Sequence, residues 1–368
     1  AAYALARYSR SPDSIRESLE WVRTHDSEKF LDSFYFQYGH ASIADLGHVV
    51  MCFEGISELA ATEAEDEPLW DGQARSTRYQ DFGGLEAVVP PEFNAQQKEA
   101  YRTAARGLIE AYQAIHEKMT AFLKEKLPRP EEIKPGPYER NLRARAFDVA
   151  RYLLPFGIPT GVGQVTSIRT LERQIRRLKA SDYQELRDLG DEIAEACAAP
   201  PACVWDQATA ADPLAPTLAK YVGVDEHLQS ARRDLRQWAA DNLPPAEAPE
   251  PRDVDLIKPA QTLADIAATL LYPVTDRPYR ELYETIAGWS EPRQQEVLDV
   301  ALRSRTRRDD LLREFRGSLY VYDIVMDIGA YRDMHRHRRC VQARQDFTSA
   351  LGYETPALLE EAGCSAEY

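Results

Sequence analysis

The 368-residue sequence has 44% hydrophobic residues, an ordinary value for a globular protein, and a formal net charge of −15. Such an acidic chain repels nucleic-acid phosphates overall, and it has no apolar run of about 18 residues, so the sequence predicts neither nucleic-acid binding nor a membrane span. The first residues lack a signal-peptide layout and the five cysteines form no CxxC pair, which predicts a reducing, cytoplasmic environment without disulfides or a zinc site.

The predicted elements are mainly helices with a few short strands. A Ser-Pro-Asp start signal predicts a helix over residues 11–25, and β-branched and aromatic residues predict a buried strand over 49–56. The remaining predicted elements, in chain order, are a long helix over 95–127, helices over 165–178 and 183–198, and a second strand-like segment over 319–329.

Residues 242–259 are rich in proline, alanine and acidic side chains, which predicts an extended linker without a core of its own. This linker divides the chain into residues 1–241 and residues 260–368. A short internal repeat connects the two parts, because "GQARSTRYQDF" (72–82) and "VQARQDF" (341–347) share Gln-Ala-Arg and Gln-Asp-Phe, each after an apolar strand.

A cationic run, His-Arg-His-Arg-Arg at residues 335–339, stands out in this acidic chain. A solvated helix face is one interpretation of the run. The other is a site for phosphates or an anionic cofactor, since a local cationic pocket outweighs distant, screened charges. His335 and His337 lie two residues apart and would face different directions on a helix, so the run predicts no metal site.

Four short motifs in the first part carry a family resemblance: "YGHAS" (38–42), "FEGIS" (53–57), "STRY" (76–79) and "ARYLLP" (150–155). In this order they resemble motifs of the flavin-dependent thymidylate synthases, the thymidylate synthase complementing protein family, over nearly all of residues 1–200. The resemblance implies an α/β (α+β) fold with a short, mostly antiparallel sheet packed with long helices. It also implies reductive methylation of dUMP to dTMP in an oligomer, with FAD as cofactor and NADPH and methylenetetrahydrofolate as co-substrates.

The first part departs from the family signature, in which Arg-His-Arg precedes Ser-x-Arg-Tyr by seven residues. Asp-Glu-Pro stands at the triplet position, residues 66–68, so carboxylates would face an anionic flavin at a cost of several kcal/mol for each close contact, roughly. The second part carries the intact triplet at 336–338 after a similar strand, with Asp-Phe-Thr-Ser at 346–349 where Ser-x-Arg-Tyr would follow. We expect a second, diverged and incomplete copy of the same fold that ends at Tyr368.

The resemblance assigns candidate binding residues. Those for the cofactor are Arg336, His337, Arg338, Arg169, Arg173 and His40, and those for the nucleotide substrate are Ser76, Arg78 and Arg177. A hydroxyl and a guanidinium two residues apart, as in Ser76 and Arg78, can bind one phosphate. No catalytic side chain is predicted, because in this family the flavin delivers the hydride.

Plainer interpretations of these residues stay open. Ser76 can be a helix cap and Arg78 a surface ion-pair partner. The arginines of residues 169–177 recur at helical spacing, and such basic stripes are usually solvated or paired with acids. His40 can be a hydrogen-bonded structural histidine.

Two diverged copies in one chain suggest composite sites. The first copy would supply Ser76, Arg78 and Arg169, and the second copy the triplet at 336–338, within one chain as a pseudo-dimer or between chains of a homo-oligomer. Two alternatives remain. The chain is a catalytically degenerate homologue that serves as a nucleotide-binding or assembly module, which the acidic residues 62–68 favour, or it acts on another pyrimidine nucleotide.

Overall fold

The computed structural model describes residues 2–25, 41–77, 80, 82–200, 215, 222–244, 254–257, 262–307, 309–315, 321–337 and 340–368. It divides into two compact units. Unit 1 comprises Ala1–Val224 together with Glu361–Tyr368, and unit 2 comprises Asp225–Glu360.

Unit 1 combines a small sheet with helices. In chain order its elements are α1 (Ala2–Tyr8), α2 (Ile15–Val22), β1 (His48–Ser57), α3 (Glu58–Glu65), β2 (Asp71–Ala74), α4 (Ala95–Lys126), α5 (Pro135–Ala150), β3 (Pro159–Ser167), α6 (Ile168–Lys179) and α7 (Gln184–Ala198).

Strand β3 is the centre of a three-stranded antiparallel sheet of order β1-β3-β2. Strand β2 begins with Asp71 opposite Val165, and β1 pairs with β3 along its length except at an irregularity between Glu54 and Ile56. Gly55 lies at this irregularity with φ +70°, a conformation that glycine adopts without steric cost. The irregularity falls just before the chain leaves the sheet for α3.

Helix α6 packs an apolar stripe against the sheet. Leu171, Ile175 and Leu178 recur at helical spacing and are buried, in one core with Phe53 of β1 and Val162 of β3. This packing holds the polar edge of α6 beside α3, which is where the candidate site of unit 1 lies.

Unit 2 is mainly helical. Its elements are α8 (Glu226–Asn242), β4 (Val254–Ile257), α9 (Leu263–Leu271), α10 (Tyr279–Ala287), α11 (Glu291–Leu302), β5 (Val321–Ile324) and α12 (Ile328–Met334), and α13 (Ala357–Glu361) follows at the end of the unit.

Strands β4 and β5 form a two-stranded antiparallel sheet with Val254 opposite Ile324. Asp323 of β5 is buried, and it accepts hydrogen bonds from the Tyr272 hydroxyl at 2.7 Å and from the Tyr279 backbone N–H at 3.0 Å. These bonds fix β5 to the helical core, and β5 in turn fixes the start of α12.

The predicted fold class is confirmed: the protein is a mixed α/β structure with small antiparallel sheets. The long predicted helix is present as α4, and it buries Tyr112, Ile115 and Met119. Leu108 of this helix is 39% exposed, whereas the neighbouring Ile109 is buried. That two copies of one fold form the chain stays a prediction.

Four predicted elements have different bounds in the structure. Of the described residues in the segment predicted as a strand over 319–329, only Val321–Ile324 form a strand, because a helix begins at Ile328. Helix α2 begins after Ser14, which forms a capping box with Glu17, rather than at residue 11. The helix predicted over 165–178 begins only at Ile168, because the preceding residues pair in the sheet as β3. Within the predicted linker, residues 254–257 form strand β4, because they pair with the second strand of unit 2, and Ile257 is buried in the core of that unit.

Within the residues that the structure describes, no helix is both long enough and apolar enough to span a membrane.

Candidate functional site

The first region of interest is the strand-to-helix corner of unit 1, residues 57–68, called here the first corner. Ser57 ends β1 and caps α3, because its Oγ accepts a hydrogen bond from the Ala60 N–H at 3.0 Å. The Glu185 carboxylate of α7 accepts both the Ser57 hydroxyl at 2.7 Å and the Ser57 N–H at 2.9 Å. The start of α3 is therefore fixed to α7.

The acidic end of the first corner turns onto Arg177 of α6. The Arg177 Nε donates to Glu67 Oε1 at 2.9 Å, and Nη2 donates to the Glu63 backbone carbonyl at 2.7 Å. Nη1 lies 3.4 Å from Glu63 Oε2. Burial opposes the charge on Arg177, but the attraction of Glu67 and Asp66 outweighs it and raises the pKa of the guanidinium. One arginine thus neutralises carboxylates of the corner.

The Glu67 side chain is only 5% exposed and that of Arg177 is 21% exposed, so this pair is largely removed from water. Asp66-Glu67-Pro68 is the position at which the family resemblance places its cationic triplet. The structure therefore has an internal ion pair at this position. The substrate role predicted for Arg177 requires the pair to open, and it stays a prediction.

A ladder of buried amides supports the same corner, and the sequence analysis missed it. The Trp70 indole donates to Gln164 Oε1 at 2.8 Å, and Gln164 Nε2 donates to Gln174 Oε1 at 2.9 Å. Gln174 Nε2 reaches the Ala64 carbonyl near the end of α3 at 2.6 Å. The signal in the sequence was Gln174 itself, an amide within the apolar stripe of α6.

Three further candidate residues of unit 1 are described, one after β2 and two on α6. Ser76 follows β2 and is exposed, and its backbone carbonyl accepts a hydrogen bond from Gln80. Arg169 is exposed at the start of α6 and forms an ion pair with Asp45 at 2.9 Å. Arg173 lies one turn further along α6 and is partly buried. Their predicted binding roles stay predictions.

Three candidates, His40, Arg78 and Arg338, lie outside the described residues.

The second region is the corresponding corner of unit 2, residues 327–337, called here the second corner. Asp327 caps α12 by accepting a hydrogen bond from the Ala330 N–H at 2.8 Å. Asp327 precedes Arg336 by nine residues, as Ser57 precedes Asp66. The helix cap therefore falls at the same place relative to the triplet position in both corners.

The second corner ends in cations rather than carboxylates. Arg336 and His337 are both exposed in the turn that follows α12, whereas His335 is buried and lies beside Tyr331, with ring centroids 5.4 Å apart. Cations at the end of a helix also interact favourably with its dipole. The described part of the triplet therefore presents positive charge to solvent.

The segment after the triplet packs back onto α12. Phe347 contacts Tyr331, with ring centroids 6.0 Å apart, and the Arg344 guanidinium lies 4.7 Å from the Phe347 ring centroid. Burial lowers the pKa of Arg344, against the attraction of Asp346. Among the described residues, no cluster of histidine, cysteine and carboxylate side chains could hold a metal ion.

Comparison with known proteins gives one family. Residues 1–200 match the family model described as thymidylate synthase complementing protein. Curated relatives are UPF0159 proteins: one from Chlamydia muridarum is 27% identical over 350 residues, or 92% of this chain and 64% of that protein. One from Thermoplasma acidophilum is 21% identical, over 96% of this chain and 75% of that protein. The chain thus spans 64% of the length of the chlamydial relative.

Solved structures of thymidylate synthase X from Helicobacter pylori, in complex with FAD and dUMP, are similar to part of this chain. One is 17% identical with a TM-score of 0.30, and another is 14% identical with a TM-score of 0.32. Each match covers 49% of this chain and 84% of the solved chain.

Proposed function

Because the chain belongs to the thymidylate synthase complementing protein family, we propose that it is a flavin-dependent thymidylate synthase whose flavin is bound at the second corner. The reaction would convert dUMP, methylenetetrahydrofolate, NADPH and a proton into dTMP, tetrahydrofolate and NADP⁺. The observation that carries the proposal is the contrast in charge: Arg336 is an exposed cation beside the exposed His337, whereas the matching carboxylate of Glu67 is buried on Arg177.

The residues of the second corner fit an anionic cofactor. A guanidinium can bind a phosphate with two parallel N–H groups, and an imidazole can donate a further hydrogen bond. Arg336 and His337, with Arg338, would hold the phosphates of FAD, and the bound flavin would supply the hydride for methyl-group reduction. These side chains would orient the cofactor and balance its charge.

The residues of the first corner do not fit the same cofactor. A phosphate near Arg177 would meet Glu63, Asp66 and Glu67, and Arg177 already donates to two of these residues. Like charges at such distances repel by several kcal/mol, roughly, in a partly buried site. We therefore assign unit 1 a supporting role, with dUMP binding by Ser76 and Arg78 as the further part of this proposal.

The test is retention of flavin by the protein. The protein is incubated with FAD, the excess is removed, and the bound flavin is measured from its visible absorption. Arg336→Ala should weaken FAD binding by about 10- to 100-fold, which is the loss expected when one charge-assisted hydrogen bond is removed. Arg303→Ala, which removes a 65% exposed arginine of the same unit, is the matched control and should leave binding unchanged.

Turnover is measured as tritium release from dUMP labelled at C5, with NADPH and methylenetetrahydrofolate present. Bound flavin with tritium release supports the full proposal. Bound flavin without release contradicts dUMP as the acceptor and leaves another pyrimidine nucleotide. A folded protein that retains no flavin contradicts the proposal as a whole.

A second candidate function is a non-catalytic nucleotide-binding or assembly module. The ion pair between Arg177 and Glu67 favours it, because it commits a candidate substrate cation to the stability of unit 1. Absence of retained flavin from the folded protein would support this candidate.

A further inference from the structure

The repeated motif "VQARQDF" (341–347) has no role in the function proposed above, yet its side chains contact the second corner. The Gln342 Nε2 donates to the Met334 carbonyl at 3.1 Å and to the His337 carbonyl at 3.3 Å. These carbonyls belong to the last residue of α12 and to the turn that follows it. Carbonyls at the end of a helix lack partners within the helix, so this amide acts as a side-chain cap.

The turn itself is held by two backbone bonds to the same carbonyls. The His337 N–H donates to the Met334 carbonyl at 2.9 Å, and the Cys340 N–H donates to the His337 carbonyl at 3.1 Å. Each carbonyl therefore accepts one backbone N–H and one hydrogen from Gln342. The single amide ties both ends of the turn that carries Arg336 and His337.

Gln342 is in turn anchored to the core of unit 2. Its backbone carbonyl accepts a hydrogen bond from Arg313 Nη1 at 3.1 Å. Arg313 lies between Leu312 and Glu314, which are both buried, and Glu314 forms an ion pair with Arg232 of α8. The cap therefore connects the turn to buried residues of unit 2.

The rest of the motif fastens the same segment. Gln345 Nε2 donates to the Thr275 carbonyl at 2.5 Å and to the Arg277 carbonyl at 3.0 Å, beside the start of α10. Phe347 packs on Tyr331 of α12. After Gln342 the motif thus makes two further contacts. Gln345 binds the residues before α10, and Phe347 packs on α12.

We infer that Gln342 is a positioning residue that fixes the turn of Arg336 and His337 for an anionic ligand. The ligand assignment rests on the function proposed above, but the positioning does not. The corresponding glutamine of the first repeat, Gln73, makes no such cap, because it is exposed on β2 and paired in register with Gly163. The same tripeptide is therefore a strand segment in unit 1 and a helix cap in unit 2.

Amide hydrogen exchange tests the positioning directly. In the wild-type protein the amides of His337 and Cys340 should be protected. Gln342→Met keeps the side-chain length without a donor, and it should speed exchange of these two amides about tenfold, the effect of losing such hydrogen bonds. Gln295→Met, which alters a glutamine paired with Asp299 on α11, is the matched control and should leave both amides unchanged.

Rescue by a donor separates capping from packing. Gln342→Lys restores N–H donors near the end of α12 and should return exchange toward the wild-type rate, whereas Gln342→Glu, which only accepts hydrogen bonds, should not. Exchange of the α10 amides reports whether each variant remains folded. Unprotected amides in the wild type, or unchanged exchange in folded Gln342→Met, would overturn the inference. Equal exchange rates in Gln342→Lys and Gln342→Glu would overturn it as well.

The affinity for FAD, measured on the same proteins, tests the ligand. Weaker FAD binding by Gln342→Met, in step with its faster exchange, supports both the positioning and the flavin site. Faster exchange in a protein whose wild type binds no FAD keeps the positioning and contradicts the proposed function. If the wild type binds FAD but amide exchange is unchanged in Gln342→Met, the proposed function is kept and the positioning role of Gln342 is contradicted.

Discussion

The first and second corners share a local design and differ in charge. Each is a strand followed by a helix whose first turn is capped by the side chain just before it, Ser57 in one and Asp327 in the other. Nine and ten residues after the cap, the first corner has Asp66 and Glu67, and Arg177 binds Glu67. The second corner has Arg336 and His337 at these places, and both are exposed. The two corners therefore have a similar local arrangement and opposite electrostatic character.

The two corners use their charged side chains differently. In the first corner an arginine and two glutamates satisfy one another, so the charges stabilise the packing of α3 on α6. In the second corner the charges contribute little to packing, and polar contacts from Gln342 hold their backbone instead.

The largest effect is expected from breaking the ion pair of the first corner. Arg177→Met removes the cation at nearly constant volume and leaves the Glu67 carboxylate, 5% exposed, without its Nε–H donor. Removing one partner of a buried pair costs about 3 kcal/mol or more, so the free energy of unfolding should fall by about that amount in urea denaturation.

Two further variants make this measurement specific. Arg169→Met, on the same helix, breaks an exposed pair with Asp45 and should cost less than about 1 kcal/mol. Arg177→Met combined with Glu67→Leu should recover part of the loss, because the buried Glu67 carboxylate is removed together with its cation, while Glu63 still loses its contacts with Arg177. Equal costs for Arg177→Met and Arg169→Met would show that the pair is not structural.

Much of the fold follows from local pattern, and the corners show where local pattern ends. The strand around residues 49–56 could be predicted from its β-branched and aromatic residues alone. The contact between Arg177 and Glu67 could not, because it joins residues far apart in sequence whose meeting depends on the packing of α6 against the sheet. Gln342 was also missed, since its cap becomes visible only when the chain folds back onto α12.

The second corner depends on buried phenols, so alkaline pH should loosen it. Burial raises the pKa of Tyr272 and of Tyr279, with added contributions from Asp323 and Asp265 respectively. A pKa raised in the folded state gives stability that is complete below the unfolded value of about 10 and is lost as pH rises above it. Each phenol should contribute a loss of about 1.4 kcal/mol for each pH unit in that range.

A phenylalanine substitution isolates one phenol. Urea unfolding of the wild type and of Tyr272→Phe at several pH values from neutral to alkaline should give slopes that differ by about 1.4 kcal/mol for each pH unit above about 10. Tyr353→Phe, at an 85% exposed position, should show no such difference. Parallel slopes for Tyr272→Phe and the wild type would contradict a buried, hydrogen-bonded phenol beneath β5.

The smallest effects concern the two caps, and they test whether the shared design is equally important in both corners. Asp327→Ala removes an exposed cap and should cost about 1 kcal/mol, whereas Asp327→Ser should be nearly neutral because serine caps as well as aspartate. Ser57→Ala should cost about 2 kcal/mol, because it removes the cap of α3 and also the hydrogen bond that the Ser57 hydroxyl donates to Glu185. Urea denaturation gives both values. Equal costs for the two alanine variants would mean that the hydrogen bond to Glu185 adds nothing to the free energy of unfolding. The corners would then differ only in the charges that follow their helices.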